Sequence, residues 1–425
     1  MRRALGVVAD DLTGATDLAE QVWRTGRSAT VLVGVPDDEA RDEGLFADGR
    51  DCVVVALKNR TTAPADAARE AAQAARALVA GGAGLLYQKY CSTFDSTPAG
   101  NVGPIGDAIA LVVAESVQGP VRSVGTPATP SVGRKVRDGR LYVHDELLEH
   151  TSMADHPRTP MRDSRLVELL RPQTPRPVVA VTTESLQRGP EAVADALGAA
   201  PQDGYVLCDA RDDADLDVLA AALEAIVAGD APIALHGGAG LAAAWARRGS
   251  APRRPSGTGV AVTGRRLVLS GSLSAATRAQ HHAFSGPRVV IDPTADVGAE
   301  VDRVQDELQP AYAGGDGPVL VTSWDGRPPG PVDEADADRA EAVLAAVAAR
   351  AVAELGVREV LVAGGETSGA VVQALGVREL NLARSVGPGL VWCDARRDGA
   401  AVALLLKSGN FGGPTLFDDA WEASA

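Results

Sequence analysis

With 425 residues, 45% of them hydrophobic and 23% charged, the chain has the composition of a folded protein and is too long for one typical core. Its formal charge of −15 argues against nucleic acid or an anionic membrane as partner, because such surfaces repel it at long range. The four scattered cysteines, Cys52, Cys91, Cys208 and Cys393, have no Cys-x-x-Cys spacing, which excludes a disulfide framework and leaves buried free thiols as the expectation.

The first apolar run, at 5–8, closes on Ala9-Asp10-Asp11-Leu12-Thr13-Gly14-Ala15-Thr16-Asp17, which reads as a strand end, an acidic turn and the start of a helix. Asp10 and Asp11 can bind sugar hydroxyls, hold a metal or take a proton; equally, Asp11 or Thr13 can simply cap a helix at 15–25 that Gly26 ends. Short β-branched runs at 31–33, 52–56, 85–87, 178–181, 205–208 and 232–235 then alternate with helical stretches at 65–80, 105–115, 165–170, 191–197, 216–227 and 241–247. That alternation predicts an α/β protein whose open, mostly parallel sheet is flanked by helices. Asp138-Gly139 marks a hairpin turn.

The segment 87–107 reads Tyr-Gln-Lys-Tyr-Cys-Ser-Thr-Phe-Asp-Ser-Thr-Pro-Ala-Gly-Asn-Val-Gly-Pro-Ile-Gly-Asp, in which Lys89 leaves an apolar strand and enters a hydroxyl-rich loop. There its ammonium can meet a carboxylate or phosphate, while Ser92, Thr93, Ser96 and Thr97 suit polyol hydroxyls. Between Asp230 and Asp292 there is no acidic residue but there are eight arginines, which suggests either a solvated linker or a positive rim beside a phosphate-bearing ligand. The Pro-, Gly- and Ser-rich stretch at 251–264 divides a domain at 1–250 from a second at 265–425.

The second domain repeats the alternation, with strands expected at 267–269, 289–291, 319–321, 360–362, 390–393 and 402–406 and its longest helix at 335–355. Three small-residue loops follow strands: Ser270-Gly271-Ser272-Leu273-Ser274, Gly364-Gly365-Glu366-Thr367-Ser368-Gly369 and Lys407-Ser408-Gly409-Asn410-Phe411-Gly412-Gly413. Together they suggest a phosphate or nucleotide cradle, the first of them an anion site at a helix N-terminus; each alone is also explained as a tight turn that needs glycine. No Gly-x-x-x-x-Gly-Lys-Ser/Thr occurs, and Gly238-Ala239-Gly240-Leu241-Ala242-Ala243 lacks the acidic residue that a dinucleotide site has about 20 positions later. His281 and His282 are expected on a helix surface. No apolar run approaches the roughly 20 residues that span a bilayer, and Met1-Arg2-Arg3 leads straight into a strand, so a cytoplasmic protein is expected.

Ala9-Asp10-Asp11-Leu12-Thr13-Gly14-Ala15, the Lys89 loop, Gly271-Ser272, Gly364-Gly365-Glu366-Thr367 and Lys407-Ser408-Gly409-Asn410-Phe411-Gly412 together resemble the four-carbon acid sugar kinase family over essentially the whole chain. Cys91-Ser92-Thr93-Phe94-Asp95-Ser96-Thr97, Gly100-Asn101-Val102-Gly103-Pro104 and His156-Pro157-Arg158-Thr159-Pro160-Met161 look most like its 3-oxo-tetronate kinase branch; Leu273 departs from the small residue or cysteine expected there. The resemblance implies an N-terminal acid-sugar domain, a C-terminal ATP domain and an active site in the cleft between them, closed about a hinge at 250–264. It implies transfer of the ATP γ-phosphoryl group to the C4 hydroxyl of 3-oxo-tetronate, with Mg²⁺ on the phosphates. A D-threonate or D-erythronate 4-kinase is the alternative within the family, and a nucleotide-regulated binding protein without turnover is the alternative outside it.

The substrate residues so implied are Asp10, Asp11, Thr13, Lys89, Ser92, Asp95 and Asn101. Asp10, Asp11 and Lys89 are the catalytic candidates, Lys89 being paired with the substrate carboxylate. Ser270, Gly271, Ser272, Gly364, Gly365, Glu366, Thr367 and Gly409 are the ATP candidates. No metal ligand is assigned, and a homo-oligomer is compatible with this reading.

Overall fold

The computed structural model of the chain describes residues 4–37, 44–46, 49–155, 159–229, 231–248, 262–326, 333–397 and 399–421. Of the expected linker and hinge, residues 250–261 lie outside this set, as do 156–158. The chain divides into two compact units, Met1–Ser256 and Gly257–Ala425.

The first unit runs β1 (Leu5–Ala9), α1 (Leu12–Arg24), β2 (Ala29–Val33), β3 (Cys52–Ala56), α2 (Pro64–Ala80), β4 (Leu85–Lys89), α3 (Val102–Val117) and β5 (Arg122–Thr126). A hairpin of β6 (Arg134–Arg137), β7 (Arg140–Val143) and β8 (Glu146–Leu147) follows. Then come α4 (Leu166–Leu170), β9 (Val178–Val181), α5 (Thr183–Gln187), α6 (Pro190–Ala199), β10 (Tyr205–Cys208), α7 (Asp213–Ala228), β11 (Ile233–Gly237) and α8 (Ala239–Arg247). The main strands lie in the order β2-β3-β1-β4-β11-β5-β10-β9, all parallel.

The apolar runs are continuous rather than alternating because a parallel sheet is covered on both faces. Val8, Val53, Val55 and Leu86 join the buried alanines of α2 and the apolar side of α3 in one core cluster, while α1 packs with α8. Asp11 starts α1 by accepting from the Gly14 N–H at 2.9 Å, and Gly26 at φ 85° ends it. The hairpin turns where expected, with Asp138 at φ 51° and Gly139 at φ 71°, the left-handed pair that a two-residue loop requires. β5 was not expected: Arg-Ser-Val-Gly-Thr has little apolar signal, and tertiary burial rather than propensity makes it a strand.

The second unit comprises β12 (Arg265–Ser270), α9 (Ala275–Ala283), β13 (Arg288–Val290), α10 (Val297–Ala311), β14 (Val319–Thr322), α11 (Glu334–Glu354) and β15 (Val357–Ala363). It continues with α12 (Gly365–Ala374), β16 (Glu379–Gly387), β17 (Leu390–Arg397), β18 (Ala400–Lys407) and α13 (Leu416–Asp419). Its strand order is β13-β14-β12-β15-β18-β17-β16, parallel as far as β18 and antiparallel through the last two pairings. Val268, Leu361, Leu405 and Trp392 meet Phe417 and Trp421 in its core. The sequence reading missed β16, whose Glu-Leu-Asn-Leu-Ala-Arg-Ser mixes polar and apolar positions, and α10, which contains Pro310.

Among the described residues no helix is long and apolar enough to cross a membrane. Cys52, Cys208 and Cys393 are buried free thiols, and Cys91 is half-buried.

Candidate active site

In an open parallel sheet, ligands gather beyond the carboxyl ends of the strands. In the first unit β3, β1 and β4 are neighbours, with Ala56, Ala9 and Lys89 in register at that end. Asp10 and Asp11 leave β1, the Asn59-Arg60 segment leaves β3, and the 90–101 loop leaves β4.

Arg60 is what these loops share. Its Nε and Nη2 donate to the two Asp10 carboxylate oxygens at 2.9 and 2.8 Å, Nη2 donates to Asp11 Oδ1 at 2.8 Å, and Nη1 lies 3.8 Å from Asp95 Oδ2. Asp11 also accepts the Thr13 hydroxyl at 2.6 Å besides capping α1. The two aspartates therefore differ. Burial raises the Asp10 pKa even against the pull of Arg60. Burial acts on Asp11 in the same sense, but Arg60, Lys89, the Thr13 hydroxyl and the Gly14 N–H together hold it below the usual carboxylate value. Asp10 is the more basic of the pair.

Lys89 is 2% exposed, donates to the Tyr90 carbonyl at 2.9 Å, and crowds the space beside Gly14 that Asp11 also faces. Asn101 does not touch the carboxylates. Its amide donates to the carbonyls of Asn59, Arg60 and Thr62 at 2.8, 3.2 and 2.9 Å, so it holds the segment that carries Arg60. Asp95 accepts the Thr93 hydroxyl at 2.9 Å and, with Phe94, has a positive φ, a strained backbone that tertiary packing must maintain. Ser92 is buried in the same loop, and among the described residues no hydrogen bond ties it to the Arg60 cluster.

The second unit repeats the arrangement with β12, β15 and β18, whose ends Ser270, Ala363 and Lys407 are in register. The three glycine loops converge there. A Cβ on Gly271 would collide with Thr367 Oγ1, and one on Gly409 would lie 2.5 Å from Ser272 Oγ. Gly364 has φ 126°. The Ser274 and Thr277 hydroxyls and the Lys407 ammonium all donate to the Gly409 carbonyl, at 2.5, 2.8 and 3.1 Å. Lys407 also donates to Thr277 Oγ1 at 2.9 Å, and its complete burial pushes its pKa down to about 7.

The first-loop helix gains a cap, and one expectation, for His281, changes. The first-loop helix, α9, is capped by its own Ser274, which accepts from Thr277 N at 3.2 Å; α12, starting at Gly365, has no side-chain cap from Gly364. His281 is not on the surface: it is 1% exposed, shares a 2.8 Å hydrogen bond with Ser270 Oγ, and lies edge-on to Trp324 and Phe417. The Ser270 side chain is thus engaged with His281. Gly365 and Glu366 form the first turn of α12, and Thr367 is buried beside Gly271.

The arginine-rich interval is mostly paired elsewhere: Arg247 with Asp217, Arg248 with Glu224, Arg265 with Asp316 and Arg266 with Glu359, while Arg278 donates to the Leu273 carbonyl. Beside β9 lies a cavity of about 290 Å³ lined by Val179, Val181, Thr182, Ser185, Ala196 and Pro201 among others; it contains none of the candidate residues. Among the described residues no group of three His, Cys, Asp or Glu could hold a metal ion.

Sequence reasoning missed Arg60, Thr277 and Lys407 as site residues. Arg60 follows an apolar strand just as Asp10 does, and the strand-end rule applied to 52–60 would have found it. Thr277 carries no such signal.

The profile of a sugar-binding N-terminal domain matches residues 5–245, and that of a nucleotide-binding C-terminal domain matches residues 267–417. A 3-oxo-tetronate kinase of Cupriavidus necator is 40% identical over 99% of this chain and 96% of its own, and one of Burkholderia multivorans is 38% identical over 99% and 97%. A crystal structure from Salmonella typhimurium, named for a tRNA synthase, is 31% identical and superposes over 98% of each chain with a TM-score of 0.78. Two strand-end sites of different chemistry, in units that match a sugar-binding and a nucleotide-binding domain, and relatives that align from end to end, agree: the chain belongs to the four-carbon acid sugar kinase family and is a kinase.

Proposed function

We propose that the enzyme transfers the γ-phosphoryl group of ATP to the C4 hydroxyl of 3-oxo-tetronate, giving the 4-phosphate. The observation that carries this reading is the Asp10–Arg60–Asp11 cluster: a largely buried, arginine-bridged set of acceptors and donors suited to hydroxyls, at strand ends in the unit that matches a sugar-binding domain. The relatives supply the substrate, since those matched at 38 to 40% identity carry the name 3-oxo-tetronate kinase.

In this reading Asp10 takes the C4 proton, because its oxygens are the more basic. Asp11, tied to Gly14 and Thr13, orients the hydroxyl. Lys89 and Arg60 keep the carboxylates close without mutual repulsion, and Asp95 and Ser92 contribute to the pocket wall. In the second unit, the N-terminus of α12 and the Ser272 hydroxyl receive phosphate, while Gly271, Gly364, Gly365 and Gly409 allow the loops to approach closely. Mg²⁺ fits such a site, because it keeps most of its water and needs only the phosphates and one or two carboxylates, here Glu366; when bound it neutralises charge that develops on the transferred group. ATP supply places the reaction in the cytoplasm.

Steady-state assays with 3-oxo-tetronate, D-threonate and D-erythronate test the substrate. The expected outcome is the highest kcat/KM with 3-oxo-tetronate, and a preference for an unoxidised acid would overturn the branch assignment.

A further inference from the structure

A third cation stands beside the acid-sugar cluster, and among the described residues no carboxylate forms an ion pair with it. Arg134 opens β6, and its main chain is pinned on both sides: Thr129 N donates to its carbonyl at 2.9 Å and its own N–H donates to the Thr129 carbonyl at 3.1 Å. The preceding Gly133, at φ 78°, lies against the His144 ring, where any Cβ would collide. These contacts fix the backbone from which the guanidinium extends. Its Nη1 donates to the Val132 carbonyl. Its Nε is buried and has no hydrogen-bond acceptor. Asp17 and Asp95 are near enough for their charges to act on it, and Asp17 in turn lies within reach of Asp11 and Lys89. Arg134 therefore belongs electrostatically to the cluster that contains Asp10 and Asp11.

A buried charged N–H without an acceptor is unfavourable unless something arrives to accept it. With Nη1 occupied by Val132, the Nε/Nη2 edge is the one left, and that edge of an arginine presents two parallel donors spaced to match a carboxylate. The other two cations are engaged: Arg60 bridges Asp10 and Asp11, and Lys89 lies buried beside Asp11 with a hydrogen bond to the Tyr90 carbonyl. We infer that Arg134 binds the carboxylate of the acid sugar through its Nε/Nη2 edge and is the residue that makes the enzyme select an acid over its neutral counterpart. The inference rests on the acid-sugar reading of the first unit. It makes Lys89 a positioning residue for the aspartates and leaves the hydroxyl end of the substrate to Asp10, Asp11 and Arg60.

The test compares the full-length wild type with Arg134→Gln and Arg134→Lys, using 3-oxo-tetronate and its neutral primary amide as alternative substrates. Loss of a bidentate charged contact corresponds to about 10- to 100-fold. Arg134→Gln should raise KM for the acid by that factor, leave KM for the amide and for ATP unchanged, and so abolish the preference for the acid. Arg134→Lys, which keeps the charge and loses the fork, should retain part of that preference, and it decides the matter if the glutamine variant does not fold. A structural role alone would shift the thermal midpoint and change both substrates in parallel; that result, or an unaltered acid preference in a folded variant, overturns the inference while the kinase reading stands. Failure of the wild type to phosphorylate any four-carbon acid would overturn both.

Discussion

Arg60 bridges Asp10 and Asp11 through three short hydrogen bonds, yet its side chain is 22% exposed and those of the aspartates 6% and 18%, so the group is enclosed without being sealed. Removing one partner of a buried ion pair leaves the other charges uncompensated. That costs about 3 kcal/mol, at the low end of the usual range because of the residual exposure. Arg60→Ala should accordingly lower kcat/KM for the acid by about a hundredfold and destabilise the first unit by a similar free energy, with KM for ATP unchanged. Arg60→Lys should recover stability more than activity, since an ammonium cannot serve both oxygens of Asp10 and one of Asp11 in a plane. Steady-state kinetics with thermal melts separates the two effects, and an equal rise in KM for ATP would remove Arg60 from the acid pocket.

At the scale of elements, the end of β18 and the start of α9 act as one clamp, closed by three donors on the Gly409 carbonyl. Lys407 is the ionisable member. The groups around it leave it without a compensating charge: Thr277 Oγ1 is neutral, Phe417 presents its ring 5.9 Å away, and His281, pushed by burial to about 4, is uncharged at neutral pH. In the free enzyme its pKa of about 7, lowered by burial from 10.5, means that the ammonium is lost as pH rises through 7. A polyphosphate in the cradle favours the ammonium, so ATP binding should take up almost no proton at pH 6 and close to one at pH 8, and affinity should fall about tenfold per pH unit above 7. Titration calorimetry in two buffers of different ionisation enthalpy reads the uptake directly. Lys407→Met should abolish it, and uptake that persists in this variant would assign the proton elsewhere. The stability of the free enzyme runs the opposite way: burying the charged amine is unfavourable below pH 7, and stability rises as that penalty is relieved between 7 and 10.5.

For the whole molecule, the two units offer different chemistry, an acid-rich cluster stapled by arginine in one and a glycine–hydroxyl cradle with a buried lysine in the other. If each ligand belongs to one unit, each should slow amide exchange locally, because a ligand at 100 times its Kd stabilises what it binds by about 2.7 kcal/mol. The acid should protect 10–17, 58–62, 89–101 and 130–137, and an ATP analogue should protect 270–278, 364–369 and 407–412. Hydrogen exchange followed by mass spectrometry, with each ligand added alone, checks this. Protection of the 10–17 segment by the ATP analogue alone would contradict the division of roles.

Much of this was legible in the sequence. Apolar runs such as Cys52–Ala56, Val178–Val181 and Tyr205–Cys208 are strands because four or five residues of that kind, bounded by glycine and polar turns, can be satisfied only inside a sheet. Asp10, Lys89, Gly271, Gly364 and Gly409 stand out because each follows such a run directly, and strand ends are where a parallel sheet presents groups to a ligand. What the tertiary structure decided was which distant groups meet. Arg60 lies 50 positions from Asp10, Arg134 opens a hairpin of unremarkable composition, and Asn101 works through three backbone carbonyls rather than through a substrate. Strand order sets these encounters: β3, β1 and β4 become neighbours although the chain passes through β2 in between. The same holds for burial. His281 and Lys407 look like surface residues from their composition, and only the packing of α9 and β18 removes them from water and shifts their protons.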